Sequence, residues 1–133
     1  MLQKSLNRIL HEHQAWSAGS GGDGRRAHLS GLDLRDLDFQ GVDLRNADLS
    51  GSDLTGSNLS GADLRNAKMT GVVLLNANLR NALINDFDLT EADFRGADLL
   101  GTDLDGAEMW RCNLKGCLID PETLHRALNC RKP

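Results

Sequence analysis

The chain has 133 residues, 26% of them charged, with a formal net charge of −4; that is enough for one domain and too acidic for a basic nucleic-acid binder. Leu (24), Asp (15), Gly (14) and Asn (10) fill 63 positions while Tyr is absent, which points to a repeat rather than an irregular enzyme core. No apolar run approaches the roughly 20 residues that span a bilayer, and three cysteines without a close pair fit a reducing compartment, so a cytoplasmic protein that contacts neither membrane nor nucleic acid is expected.

At the N-terminus Leu2, Leu6, Ile9, His13 and Trp16 recur at helix-face spacing, with Lys4, Arg8 and Glu12 elsewhere. This predicts an amphipathic capping helix over residues 1–17. The same charges, with His11, interrupt the apolar stretch that a signal peptide requires. His11 and His13 stand two apart on that helix and point in different directions, which is poor metal geometry. A Gly-rich linker, residues 18–26, follows with Gly19, Gly21, Gly22 and Gly24.

From Leu29 to Ile119 an apolar residue falls at every fifth position: 19 consecutive pentads with 13 Leu, two Phe, two Met and two Ile at the central position, called i. At i−2 the residue is small in 14 of 19 pentads, the exceptions being Leu32, Leu37, Val42, Val72 and Phe87. At i−1 it is Asp or Asn in 13, and at i+2 it is Gly, Asn or Asp in 16. A helix would spread such a series round its cylinder, and a straight strand would send alternate members to opposite faces. A chain extended for about three residues and then turned restores the phase, so that i−2 and i point inward and i−1 outward. Gly, Asn and Asp at i+2 tolerate the dihedrals such a corner needs. Phe87 stands in a column otherwise filled by Ala27, Ala47, Ala67 and Ala107 and is expected to distort the coil locally.

Beyond the repeat, Asp120-Pro121-Glu122-Thr123 is a helix start with Asp as N-cap and Pro in the first turn. It opens a C-terminal capping helix and tail, residues 122–133, whose short apolar face is Leu124, Ala127 and Leu128.

The pattern A(D/N)LxG, as in Ala47-Asp48-Leu49-Ser50-Gly51 and Ala62-Asp63-Leu64-Arg65-Asn66, resembles the pentapeptide-repeat family across residues 27–121. The resemblance implies an all-β fold, a right-handed quadrilateral β-helix with four pentads per coil. That makes about 4.75 coils and, at the ~4.8 Å strand spacing, a solenoid roughly 23 Å long. It also implies a bacterial, non-catalytic scaffold for protein–protein interaction. Some members bind type II topoisomerases by imitating duplex DNA and so confer quinolone resistance; the alternative reading is therefore a DNA-mimicking binder of DNA gyrase or topoisomerase IV. Charge weakens that alternative. Residues 27–121 carry 16 acidic and 8 basic side chains, a net −8, against about 14 phosphates for B-DNA of that length. If residues 20 apart stack, Asp33/Asp53, Asp43/Asp63 and Asp88/Glu108 are the only acid-over-acid pairs in the outward column. Arg35, Arg45, Arg65, Arg80 and Arg95 at i+1 stand close enough to offset the acids.

No nucleophile motif, phosphate loop, calcium-loop order or zinc pattern is present, so neither catalysis, cofactor nor metal is expected. His28 falls at an outward position and His125 in the C-terminal helix. Cys112 and Cys117 take the inward i−2 column as compact core residues, and Cys130 lies in the tail. The candidate interaction surface is where the pattern fails outward: Val73 and Leu75 beside the inward Leu74, then Leu83, Leu100, Trp110 and Leu118. The simpler expectation is that the terminal helices cover Leu100, Trp110 and Leu118 and leave Val73 and Leu75 as scattered surface residues. The competing one is a patch for a protein partner, or for a homodimer formed through an end or through exposed apolar residues.

Overall fold

The computed structural model describes residues 2–19, 26–85 and 88–127. Its elements are a ladder of single-residue bridges between two helices, α1 (Leu2–Ser17) and α2 (Pro121–Ala127). The bridges are parallel and join residues 20 apart: His28 with Asp48, Asp33 with Asp53, Asp38 with Asn58, Asp43 with Asp63, and so on to Asp98 with Leu118. A 20-residue advance over a five-residue period sets four pentads in each coil. In every bridge the partners are i−1 residues. Asp48 donates its N–H to the Ala27 carbonyl at 3.0 Å, and the Asp48 carbonyl accepts the Leu29 N–H at 2.7 Å.

From Val42 onward the described corners are closed within the chain. The N–H of an i−2 residue donates to the carbonyl of the preceding central residue, as from Ser52 to Leu49 (3.0 Å) and from Ala97 to Phe94 (3.0 Å). The residue before that donor has positive φ, 65° at Gly51 and 60° at Asn66, the arrangement of a type II turn. Inward, the central residues from Leu29 to Leu104 are buried, Phe39 and Phe94 among the largest. The small column lies beside them. Where it holds a hydroxyl, the hydroxyl is satisfied locally: Ser52 and Ser57 donate to the Leu49 and Leu54 carbonyls at 2.7 Å, and Thr102 donates to Leu99. This is why Ser and Thr are admitted to a dry interior.

The two ends differ. At the N-terminal end Leu6 and His13 of α1 are buried, Ile9 and Leu10 pack against the core with Leu37 and Val42, and Leu29, Leu34, Phe39 and Leu44 of the first coil are fully buried. At the C-terminal end Met109, Cys112, Leu114, Cys117 and Ile119 are only partly buried. Seven residues of helix extend about 10 Å, enough for one side of a coil, and Leu124 stands 20 positions beyond Leu104. Thr123 and Ala127 turn inward there, Asp120 accepts the Gly101 N–H at 3.2 Å, and Arg126 pairs with Asp105 at 3.7 Å. Phe87, most of the linker, Leu128 and Cys130 lie outside the described residues.

Candidate interaction surface

The outward aspartates are components of the coil itself. The Oδ1 of an i−1 residue accepts the backbone N–H two positions on: Asp48 from Ser50 (3.1 Å), Asp53 from Thr55 (3.0 Å), Asn58 from Ser60 (3.1 Å) and Asp98 from Leu100 (3.1 Å). Such Asx bonds fix the chain as it enters the corner, and Asn serves as well as Asp. Arginine at i+1 then clamps the same carboxylate. Arg45 reaches Asp43 through Nε (3.0 Å) and Nη2 (2.9 Å), and its Nε stands 3.7 Å from Asp63 on the next coil. Arg35 with Asp33, Arg65 with Asp63 and Arg95 with Asp93 repeat the clamp, and Arg80 pairs with Asp98. The guanidinium hydrogen bonds hold the Asp33 and Asp43 carboxyls down at about 2. Asp93 is lowered by Arg95 in the same way. At Asp63 burial pushes upward and is outweighed by the Arg65 hydrogen bonds.

The residues that interrupt the pattern do not form one patch. Val73 and Leu75, both half-buried, lie on the second side of the third coil; Leu83 is exposed on the fourth side. Leu100 and Leu118 share the third side on successive coils, where the Leu118 carbonyl accepts the Leu99 N–H at 2.7 Å. Trp110 stands opposite, on the first side, its carbonyl accepting the Glu91 N–H at 2.9 Å. The terminal helices do not cover this end as expected. Trp110 is 73% exposed and Leu118 55%, with Leu100 half-buried. The reason is reach: α2 sits on the fourth side, while these residues occupy the first and third.

A cleft of about 650 Å³ lies between α2 and the fourth side, bordered by Asp103, Asp105, Asp120, Glu122 and Arg126. Asp105 and Asp120 are engaged by Arg126 and by the Gly101 N–H, and this polar lining is not that of an apolar ligand pocket. Among the described residues no three His, Cys, Asp or Glu side chains come together as a metal site, and no helix is long and apolar enough to cross a membrane. Burial pushes the Cys112 thiol up to about 11, and its sulfur contacts the Leu89 carbonyl at 2.9 Å; Cys117 is raised by burial as well.

His13 has a part that its spacing alone did not reveal. It sits on the apolar face of α1, fully buried, and its Nδ1 accepts the Ala27 N–H at 3.0 Å. The only signal was position, in register with Leu6 and Ile9.

A four-sided solenoid with a five-residue repeat, an Ala or Ser column inside and an Asx column outside, defines the class. The chain belongs to the pentapeptide-repeat family, whose model matches residues 25–61, 47–86 and 85–119. Among solved structures it is similar to HetL, a pentapeptide repeat protein involved in heterocyst differentiation regulation in the cyanobacterium Nostoc, with 31% identity and a TM-score of 0.68 over 78% of this chain. The chain spans 44% of HetL's length. A pentapeptide repeat protein of the cyanobacterium Cyanothece matches at 26% identity and a TM-score of 0.42, covering 71% of this chain and 85% of that one. The plasmid-mediated fluoroquinolone resistance protein QnrB1 matches at 19% identity and a TM-score of 0.31, covering 80% and 71%. Among curated proteins no significant match was found.

Proposed function

We propose that this chain is a non-catalytic, cytoplasmic scaffold, a right-handed solenoid of about 4.75 coils, that docks a protein partner on its last coil. The observation that carries this reading is Trp110. Its column on the first side is otherwise Ser30, Ser50, Thr70 and Thr90, yet there a 73% exposed indole replaces the hydroxyl. Leu118 likewise ends a column of Asp38, Asn58, Asn78 and Asp98. Trp110 follows the partly buried Met109 and Leu118 precedes the partly buried Ile119, so an exposed aromatic and an exposed Leu adjoin an incompletely covered apolar end, a composition favoured at interfaces. A second copy could meet this end as readily as another protein.

Imitation of DNA toward gyrase or topoisomerase IV is the lesser reading. The arginine clamps on Asp33, Asp43, Asp63 and Asp93 convert four of the 16 acidic side chains of the repeat into neutral pairs, whereas a DNA mimic needs its carboxylates unopposed.

The test is affinity capture from the source cell, with light scattering on the pure protein. Trp110→Lys/Leu118→Lys should lose the partner, or the dimer, that Val73→Lys/Leu75→Lys retains. Equal retention by both variants would refute docking at the last coil. Inhibition of supercoiling by the pure protein would establish the topoisomerase reading instead. Turnover of a small substrate, abolished by one polar substitution, would overturn the absence of catalysis.

A further inference from the structure

We propose that His13 is an uncharged imidazole latch that holds α1 on the first coil, and that its protonation in mild acid releases the helix and opens the N-terminal end of the solenoid. In later coils the i−2 N–H donates to the carbonyl of the preceding central residue: Ala47 to Leu44 at 3.0 Å, Ala67 to Leu64 at 3.0 Å, Ala107 to Leu104 at 3.1 Å. Ala27 opens the first coil and has no such pentad before it. His13 Nδ1 supplies the missing acceptor at 3.0 Å, from a helix 14 residues upstream. An imidazole accepts at Nδ1 only when that nitrogen carries no proton. Protonation therefore exchanges the acceptor for a donor that faces another donor. It also places a charge on a side chain with no exposed surface, whose Nε2 has no hydrogen-bond partner.

The surroundings set the direction. Burial, the largest influence, lowers the imidazole below its ordinary 6.5, while Asp43 across the junction opposes it. The Arg45 carbonyl also favours the charged ring, without bonding geometry at Nε2, and the Arg26 and Arg45 guanidiniums disfavour it. From α1 itself Trp16 faces the ring, with centroids 5.6 Å apart, while His11 is exposed and Glu12 half-buried. Asp43 is held at about 2 by Arg45, with help from Ser17 of α1, so it stays ionised across the range in question. A depressed folded value means that the latch holds fully above about pH 6.5 and weakens as pH falls toward the folded value. Each unit of depression is a tenfold loss of docking once both values are passed. Loss of the helix would withdraw Leu6, Ile9 and Leu10 from the core at the end where Leu37 and Val42 of the first coil are only partly buried.

Amide hydrogen exchange of the full chain at about pH 7.5 and about pH 5 tests this. Protection factors in α1 should fall in acid, while those of Leu74 and Leu79 in the middle coil hold. His13→Asn, whose Oδ1 takes the place of Nδ1 and does not titrate, should keep α1 protected at both values. Unchanged α1 protection in the wild type, or an equal loss in His13→Asn, overturns the latch. Should the variant leave α1 unprotected throughout, NMR titration of the wild-type ring decides. Protonation coincident with loss of α1 protection supports the latch, and protonation without that loss refutes it.

Discussion

Gly96 and Gly51 have the same backbone requirement and different neighbours, so substituting each separates two constraints on the corner. Both have positive φ, +69° and +65°. A Cβ on Gly51 would meet nothing within 4 Å, whereas one on Gly96 would collide with Oδ1 of Asn76, one coil earlier. For Gly51→Ala, the left-handed conformation costs about 1–2 kcal/mol. The stiffer unfolded chain returns about 0.4–1 kcal/mol, leaving a net loss of roughly 1 kcal/mol. For Gly96→Ala the exposed Asn76 side chain must swing off its rotamer, which adds about 0.5–1.5 kcal/mol, for a total of roughly 2 kcal/mol. Asn76 itself has a φ of 55°, so Asn76→Gly removes the obstructing oxygen without straining its own corner. Urea midpoints of the wild type, Gly96→Ala, Asn76→Gly and the double variant form a double-mutant cycle, with Gly51→Ala as the reference. In the Asn76→Gly background, Gly96→Ala should cost no more than Gly51→Ala does in the wild type. Equal costs for the two glycines in the wild type would refute stacking of Asn76 on Gly96 as a constraint.

Other consequences concern the core, the carboxylates and the thiols. Leu74→Ala, in the middle coil and fully buried, should destabilise by about 2–5 kcal/mol in urea unfolding. A loss under about 1 kcal/mol would mean that the coil closes over the cavity. The Asp33 and Asp43 carboxyls, held at about 2 against an ordinary 3.8, favour folding only while ionised. Their contribution is thus present above about pH 4 and lost as pH falls through about 2. Asp33→Asn keeps the Asx acceptor and should flatten that acid decline by circular dichroism, with the difference shrinking in high salt because Asp33 is exposed. Alkylation of Cys112 at about pH 8 should run roughly a hundredfold slower than that of an ordinary cysteine, because its thiol is pushed up to about 11. Peptide mapping after timed iodoacetamide treatment measures it.

The five-residue grammar was legible because its columns are chemical: large apolar, small, Asx and left-handed-tolerant residues each answer a separate local demand. The coil length was not carried by those columns, since it depends on the sum of four corner angles. A trace of it is nevertheless present in the corner column. Asp36, Asn76 and Asn81 are each followed 20 residues later by a glycine, at 56, 96 and 101, whose absent Cβ makes room for the side chain before it. The outward aspartates read as surface charge because a bond from Oδ1 to the backbone two residues on leaves no mark in composition. His13 was placed on the apolar face of α1 by spacing, but that its acceptor replaces the carbonyl of a pentad that does not exist follows only from the junction with Ala27. The expected cover over Trp110 and Leu118 failed on geometry, since helix length from sequence does not say which side of a coil the helix takes.

The solenoid's bonding also explains why its candidate partner surface is confined to few residues. An outward polar side chain in a middle coil has local work: Oδ1 of Asp53 takes both the Thr55 N–H and its hydroxyl, and Arg45 spans two coils. Recruiting such a group to a partner would first break a bond that sets a corner or a clamp, with a cost to the fold. An outward apolar residue has no such prior engagement. Trp110 and Leu118 can be desolvated by a partner with only burial to gain, about 25 cal/mol for each Å² covered, and their loss to Lys should change stability by no more than about 0.5 kcal/mol. Binding and folding are separable at those two positions in a way they are not at Asp53 or Arg45, so a partner surface on the last coil can change without unwinding the solenoid.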